Sequence, residues 1–152
     1  NKCMKLAEAL SVRADLQRRI SQLKSRLKDS SKIQEGDTPA EDVNDLYKEL
    51  DDCLMQLDEL TYRINNTNMQ TVHEGETLTR MIARKDTLTL RISVMRDVLK
   101  HVIENDRYGR NEIKYIRTID IPAFRKEMDA YAKRLRELDL KLQSLNWTVD
   151  LI

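Results

Sequence analysis

The sequence predicts a mainly α protein: four long antiparallel amphipathic helices of the bundle or coiled-coil type, with a short β segment in the 105–121 link. Three observations carry this. Apolar residues recur at alternating spacings of three and four along four separate segments. All three glycines (Gly36, Gly75, Gly109) fall between those segments, where turns are needed. The composition, with 35% charged and only 5% aromatic residues, is that of long helices.

The first helix is expected over about 4–28, with Leu6, Ala9, Arg13, Leu16, Ile20, Leu23 and Leu27 on one seam. The second, about 40–65, carries Val43, Leu46, Leu50, Cys53, Leu57, Leu60 and Ile64. Thr38-Pro39-Ala40-Glu41 supplies it with an N-cap, a proline in the first turn and a capping-box glutamate. The third, about 76–104, carries Leu78, Met81, Lys85, Leu88, Ile92, Met95, Leu99 and Val102. The fourth, about 122–146, opens at Pro122 and carries Phe124, Met128, Tyr131, Leu135, Leu138, Leu142 and Leu145. A 3.5-residue repeat sustained this long requires partner helices that run nearly parallel or antiparallel to it. At 1.5 Å per residue each helix is on the order of 40 Å long, and short links predict an up-down-up-down order. An alternative keeps each hairpin but splays the two, with another chain completing the bundle.

Charge supports the first hairpin. Segment 4–28 carries seven basic and two acidic residues, and segment 41–64 two basic and eight acidic. Opposite flanks favour that pairing, chiefly as specificity. The third helix has a second apolar stripe (Ile82, Leu90, Val94, Val98, Ile103), and a helix apolar on two sides is buried on two sides. A homo-oligomer formed through this helix is therefore the expected state. In the 105–121 link the run from Glu112 to Ile121 is β-branched and nearly alternating, which predicts a strand over 113–119; Thr67–Val72 is a weaker strand candidate.

One domain is expected over 4–152, with 1–3 a disordered tip and Met4 a natural start. The net charge of +1 supplies no overall field for a polyanion. Cys3 and Cys53 make no disulfide framework, no apolar run approaches the ~18 residues of a membrane span, and no signal-peptide core is visible. A cytoplasmic protein without membrane attachment is expected. His73 and His101 stand apart, and the sequence holds no Glu-x-x-His pair, Cys-x-x-Cys or glycine-rich phosphate loop. No metal, cofactor or catalytic group is predicted, and Trp147 is expected to anchor the C-terminal tail by packing.

Three polar features stand out as candidates for a binding or interface site. Arg13 and Lys85 interrupt apolar seams. Each either snorkels, sets register, or forms a buried polar site with Asp15, Asp86 or another carboxylate. The amide cluster from Asn65 to Thr71, including Asn68 and Gln70, reads as a helix end or as a polar pocket. The stretch Asp106–Glu112, with Arg107, Tyr108 and Arg110 around Gly109, reads as a salt-bridged subunit contact or an anion-holding loop.

Several segments together carry a resemblance. They are Met4-Lys5-Leu6-Ala7-Glu8-Ala9-Leu10, Arg13-Ala14-Asp15-Leu16-Gln17, Asn68-x-Gln70-Thr71, Thr77-Leu78-Thr79, Leu90-Arg91-Ile92-Ser93, Asp106-Arg107-Tyr108 with Glu112-Ile113-Lys114, and Leu145-Asn146-Trp147-Thr148. In these the chain resembles, from Met4 onward, the small bacterial helical proteins often labelled septicolysin. The resemblance implies a family of unknown function. Its toxin-like label finds no support in the residues, since cytolysins of that kind are larger, β-rich and carry a tryptophan-rich membrane loop, whereas this chain has one tryptophan. The expected role is that of a non-enzymatic, self-associating helical protein that binds or scaffolds. The alternative is a nucleic-acid-binding helical arm, using the basic first helix and the arginines of the third. A pore-forming toxin is the remaining reading.

Overall fold

The computed structural model describes residues 3–104 and 113–152. They form four helices, α1 (Leu6–Ser31), α2 (Val43–Gln70), α3 (Leu78–Ile103) and α4 (Ile121–Thr148), with two short strands, β1 (Val72–His73) and β2 (Glu76–Thr77), between α2 and α3. The chain divides into two compact units, one of Asn1–Leu78 with Ser144–Ile152 and one of Thr79–Gln143. Every seam position in the 3–4 pattern is buried or half-buried.

In the first unit α1 and α2 pack as a hairpin. Its core includes Leu6, Ala9, Leu16, Leu23 and Leu27 from α1 and Leu46, Cys53, Leu60 and Ile64 from α2. Each fully buried leucine or isoleucine contributes roughly 1.5–3 kcal/mol by leaving water. Opposite charges flank this seam as the composition predicts. Arg19 pairs with Glu49 at 3.1 Å, and Arg26 donates from Nε to Glu41 Oε2 at 2.9 Å. Only an antiparallel pairing brings residue 19 to 49 and 26 to 41. Such exposed pairs add at most about 1 kcal/mol each, and their main effect is on register.

The Arg26–Glu41 pair also explains where α2 begins. The hydrogen bond from Arg26 holds the Glu41 carboxyl below the ordinary glutamate range, and the same bond raises Arg26. A glutamate engaged by α1 does not close a capping box, so residues 38–41 stay outside the helix. Asp42 caps instead, accepting from the Asn44 N–H at 2.8 Å and the Asp45 N–H at 3.4 Å. At the start of α4 Asp120 does the same for the Ala123 N–H at 3.2 Å, with Pro122 in the first turn as expected.

The amide cluster lies inside α2, which runs to Gln70. Its one fully buried member, Thr67, organises the C-terminal segment: its hydroxyl donates to the Arg63 carbonyl at 2.8 Å and accepts the Ile152 N–H at 2.9 Å. Arg63 Nε donates to the Ile152 carbonyl at 2.9 Å. The same segment bridges to the start of α1, through Leu6 N–H to Val149 O and Leu151 N–H to Met4 O, both 2.8 Å, and buries Leu151. Lys5 Nζ pairs with Asp150 at 2.7 Å, which raises the Lys5 pKa. Trp147, expected to anchor this tail, is 66% exposed. Backbone pairing and Leu151 hold the tail instead.

The β structure is not where the alternation placed it. Residues 113–120 contain no strand, and the remainder of the 105–112 stretch lies outside the described residues. Ile113, Tyr115 and Ile116 are exposed, and Arg117 Nε donates to the Val102 carbonyl at 2.8 Å. An alternating run becomes a strand only when a neighbour satisfies its N–H and C=O groups. The weaker candidate, Thr67–Val72, contributes only Val72, since Thr67–Gln70 belong to α2; the strands follow it, Val72 opposite Thr77 and His73 opposite Glu76. The two linking residues, Glu74 (φ 52°) and Gly75 (φ 83°), both take the positive φ that tight hairpin turns demand. Cys3 and Cys53 are free thiols. Among the described residues no helix is long and apolar enough to cross a membrane.

Because the Thr67 side chain both binds its own helix and receives the C-terminal segment, Thr67→Val leaves the Ile152 N–H without its acceptor. The expected loss is about 1–3 kcal/mol in urea unfolding, with Thr67→Ser nearly neutral. Equal stability of the valine variant would remove the tail from the first unit's framework.

Candidate functional site

In the second unit α3 and α4 run antiparallel, as shown by Lys85 on α3 pairing with Asp139 on α4 at 2.6 Å and Arg91 lying over Tyr131. Met81, Leu88, Ile92 and Leu142 are buried there. Between the two helices lies a groove of about 600 Å³, lined by Arg84, Leu90, Arg91, Val94, Tyr131 and Arg134 among others. A smaller recess of about 240 Å³, also lined by Arg84 and Arg134, has Glu137 and Lys141 at its edge.

The groove is built from two helical registers. Arg84 and Arg91, seven residues apart, share one face of α3, while Tyr131 and Arg134 stand one turn apart on α4. The guanidinium carbons of Arg91 and Arg134 lie 4.8 and 5.5 Å from the Tyr131 ring centroid. Stacking on the ring holds each guanidinium in place. Beside them Leu90, Val94 and Val98 form an exposed stripe, with Leu90 64% and Val94 53% accessible. Charge-assisted donors next to apolar surface suit an acidic, partly apolar partner. Among the described residues no group of His, Cys, Asp and Glu could hold a metal ion.

The polar residues singled out from the sequence do not gather here. Arg13 is half-buried in the α1 seam and has no ion pair among the described residues; Asp15 is exposed and pairs with Arg18, one turn along the same helix. Asn68 is half-buried and Gln70 exposed in the last turn of α2, where Gln70 Nε2 donates to Asn66 Oδ1 at 2.7 Å. Lys85 finds its carboxylate in Asp139, rather than Asp15 or Asp86, and Gln143 Nε2 donates to the other Asp139 oxygen at 2.9 Å. Arg107, Tyr108 and Arg110 lie outside the described residues. Arg84, Tyr131 and Arg134 escaped notice as a group. The available signal was the seven-residue spacing of Arg84 and Arg91 set against a tyrosine inside the α4 seam.

Residues 13–151 match the model of a family described as a family of unknown function, DUF6847, and the chain belongs to that family. A crystal structure of a functionally unknown conserved protein from Corynebacterium diphtheriae is 40% identical, covers 99% of this chain and 100% of that one, and superposes with a TM-score of 0.91. Among curated proteins none matches.

The two seam cations differ in what they hold, and neither is deeply buried. Arg13→Leu removes no partner and is expected to leave stability unchanged or raise it. Lys85→Leu leaves Asp139 bonded to Gln143 and is expected to shift stability by no more than about 1 kcal/mol, since the pair is partly screened by water. Urea midpoints of both variants check this; a loss well above that figure would mark the cation as a structural requirement.

Proposed function

We propose that the protein is a non-enzymatic, self-associating helical protein that acts by binding or scaffolding, and that α3 is its contact surface. The observation behind this is the stripe of Leu90, Val94 and Val98, which lies in water on a helix whose other apolar stripe, with Met81, Leu88 and Ile92, is buried. A contiguous apolar stripe edged by polar groups is the ordinary mark of a surface that meets another protein. The tyrosine, arginines and Met95 of the adjoining groove are residue types enriched at such contacts. Sedimentation at micromolar concentration is expected to show association. Val94→Asp is expected to weaken it at least tenfold while far-UV circular dichroism stays unchanged. A wild-type chain that sediments as a clean monomer at that concentration contradicts the proposal.

The arginines support a second reading, a nucleic-acid-binding surface on α3 and α4. Its signature would be binding to RNA or DNA that falls steeply as salt rises. No binding at low salt would remove it.

A further inference from the structure

A surface that meets a second copy of the same chain must be matched by some face of that copy. The groove does not match itself, because placing one copy's groove against another's sets Arg91 and Arg134 against the same two cations. The outward face of α2 offers what the groove lacks. Tyr47, Leu54, Tyr62 and Met69 are all exposed large apolar side chains, and Asp51 and Asp58 are exposed among them. At about 100° per residue these six fall within about 80° of arc, turned away from the α1–α2 seam. The seven-residue steps from Tyr47 to Leu54, Asp51 to Asp58 and Tyr62 to Met69 repeat the period of a helix-packing seam. α2 therefore has two seams, of which α1 covers one.

The charges sort the same way. Glu49 of α2 pairs with Arg19 of α1, and Glu41, just before α2, pairs with Arg26. Asp51 and Asp58 have no ion pair among the described residues. The chain thus presents an acidic–apolar stripe on α2 and a cationic–apolar groove on α3 and α4, each with exposed tyrosine, leucine or valine beside the charges. The whole chain carries a net charge of only +1.

We propose that the outward stripe of α2 in one copy seats in the α3–α4 groove of another, with Asp51 and Asp58 meeting Arg91 and Arg134 and with Tyr47, Leu54 and Tyr62 covering Leu90 and Val94. This rests on the self-association proposed above and names the face that meets α3. Unlike faces are joined, so every copy uses both, and the apolar surfaces on α2 and α3 are covered by the same contact.

Charge reversal tests the pairing. D51K/D58K places cations on the stripe opposite the groove's own, and R91E/R134E places acids in the groove opposite the stripe's own. At a concentration where the wild type is associated, each variant alone is expected to sediment as a monomer, with self-association weakened at least tenfold. An equimolar mixture of the two is expected to associate again, and so is a single chain carrying all four changes. Rescue in the mixture cannot come from misfolded chains, which guards against an uninformative loss. Variants that associate as the wild type does, or a mixture that stays monomeric, overturn the pairing while leaving self-association itself standing. A wild type that is monomeric but binds RNA through Arg91 and Arg134 overturns both.

Discussion

A helix in water can carry one apolar stripe if one neighbour covers it, and a second stripe requires a second neighbour. That constraint orders the whole chain. In the first unit α1 and α2 cover one another along a seam from Leu6 to Leu27, interrupted at Arg13, and from Leu46 to Ile64, and ionic pairs at its edge fix the register. In the second unit two helices share the work less completely. Met81, Leu88, Ile92 and Leu142 are buried, yet Leu90, Val94 and Val98 are open. The polar inserts follow from the same logic, since Lys85 sits at the seam's edge where Asp139 and water both reach it.

The first unit is closed by its ends rather than by more hydrophobic surface. The Lys5–Leu6 backbone, Thr67 and the last four residues form a small polar clasp around Leu151. The Leu6, Val149, Leu151 and Ile152 N–H groups each find a carbonyl or hydroxyl, which is what allows irregular backbone to lie against a core. The hairpin at 72–77 works alike, with its turn at Glu74–Gly75 and the Leu78 N–H bonded to the Thr71 carbonyl at 3.0 Å. These polar closures hold the starts and ends of α1, α2 and α3 without demanding apolar residues of their own.

The helices were legible in the sequence because burial repeats at the helical period, and nothing else produces Leu6, Ala9, Leu16, Leu23 and Leu27 on one line. The α1–α2 pairing was legible too, through opposite charge on two neighbouring segments. What failed depended on competition for partners. Glu41 reads as a capping residue, but Arg26 takes it, so Asp42 caps α2. The run from Ile113 to Ile119 has a strand's alternation, but a strand's existence depends on a neighbour that spacing does not reveal. Trp147 looks like an anchor by size alone, whereas the tail is held by backbone pairing, the Thr67 hydroxyl and buried Leu151. The groove was hidden for a related reason: Tyr131 and Arg134 share α4, and only the antiparallel pairing of α3 with α4 brings Arg91 over the same ring.

Two faces of unlike charge, each with apolar residues exposed, are the surfaces by which this chain is proposed to meet its own kind. Cysteine cross-linking reads that contact directly. In a background lacking Cys3 and Cys53, chains carrying Tyr62→Cys are mixed with chains carrying Val94→Cys and oxidised. Seating of α2 in the groove predicts a disulfide joining unlike chains, formed faster than either the 62–62 or the 94–94 product. Absence of the mixed product, or a dominant 94–94 product from α3 meeting α3, would contradict it.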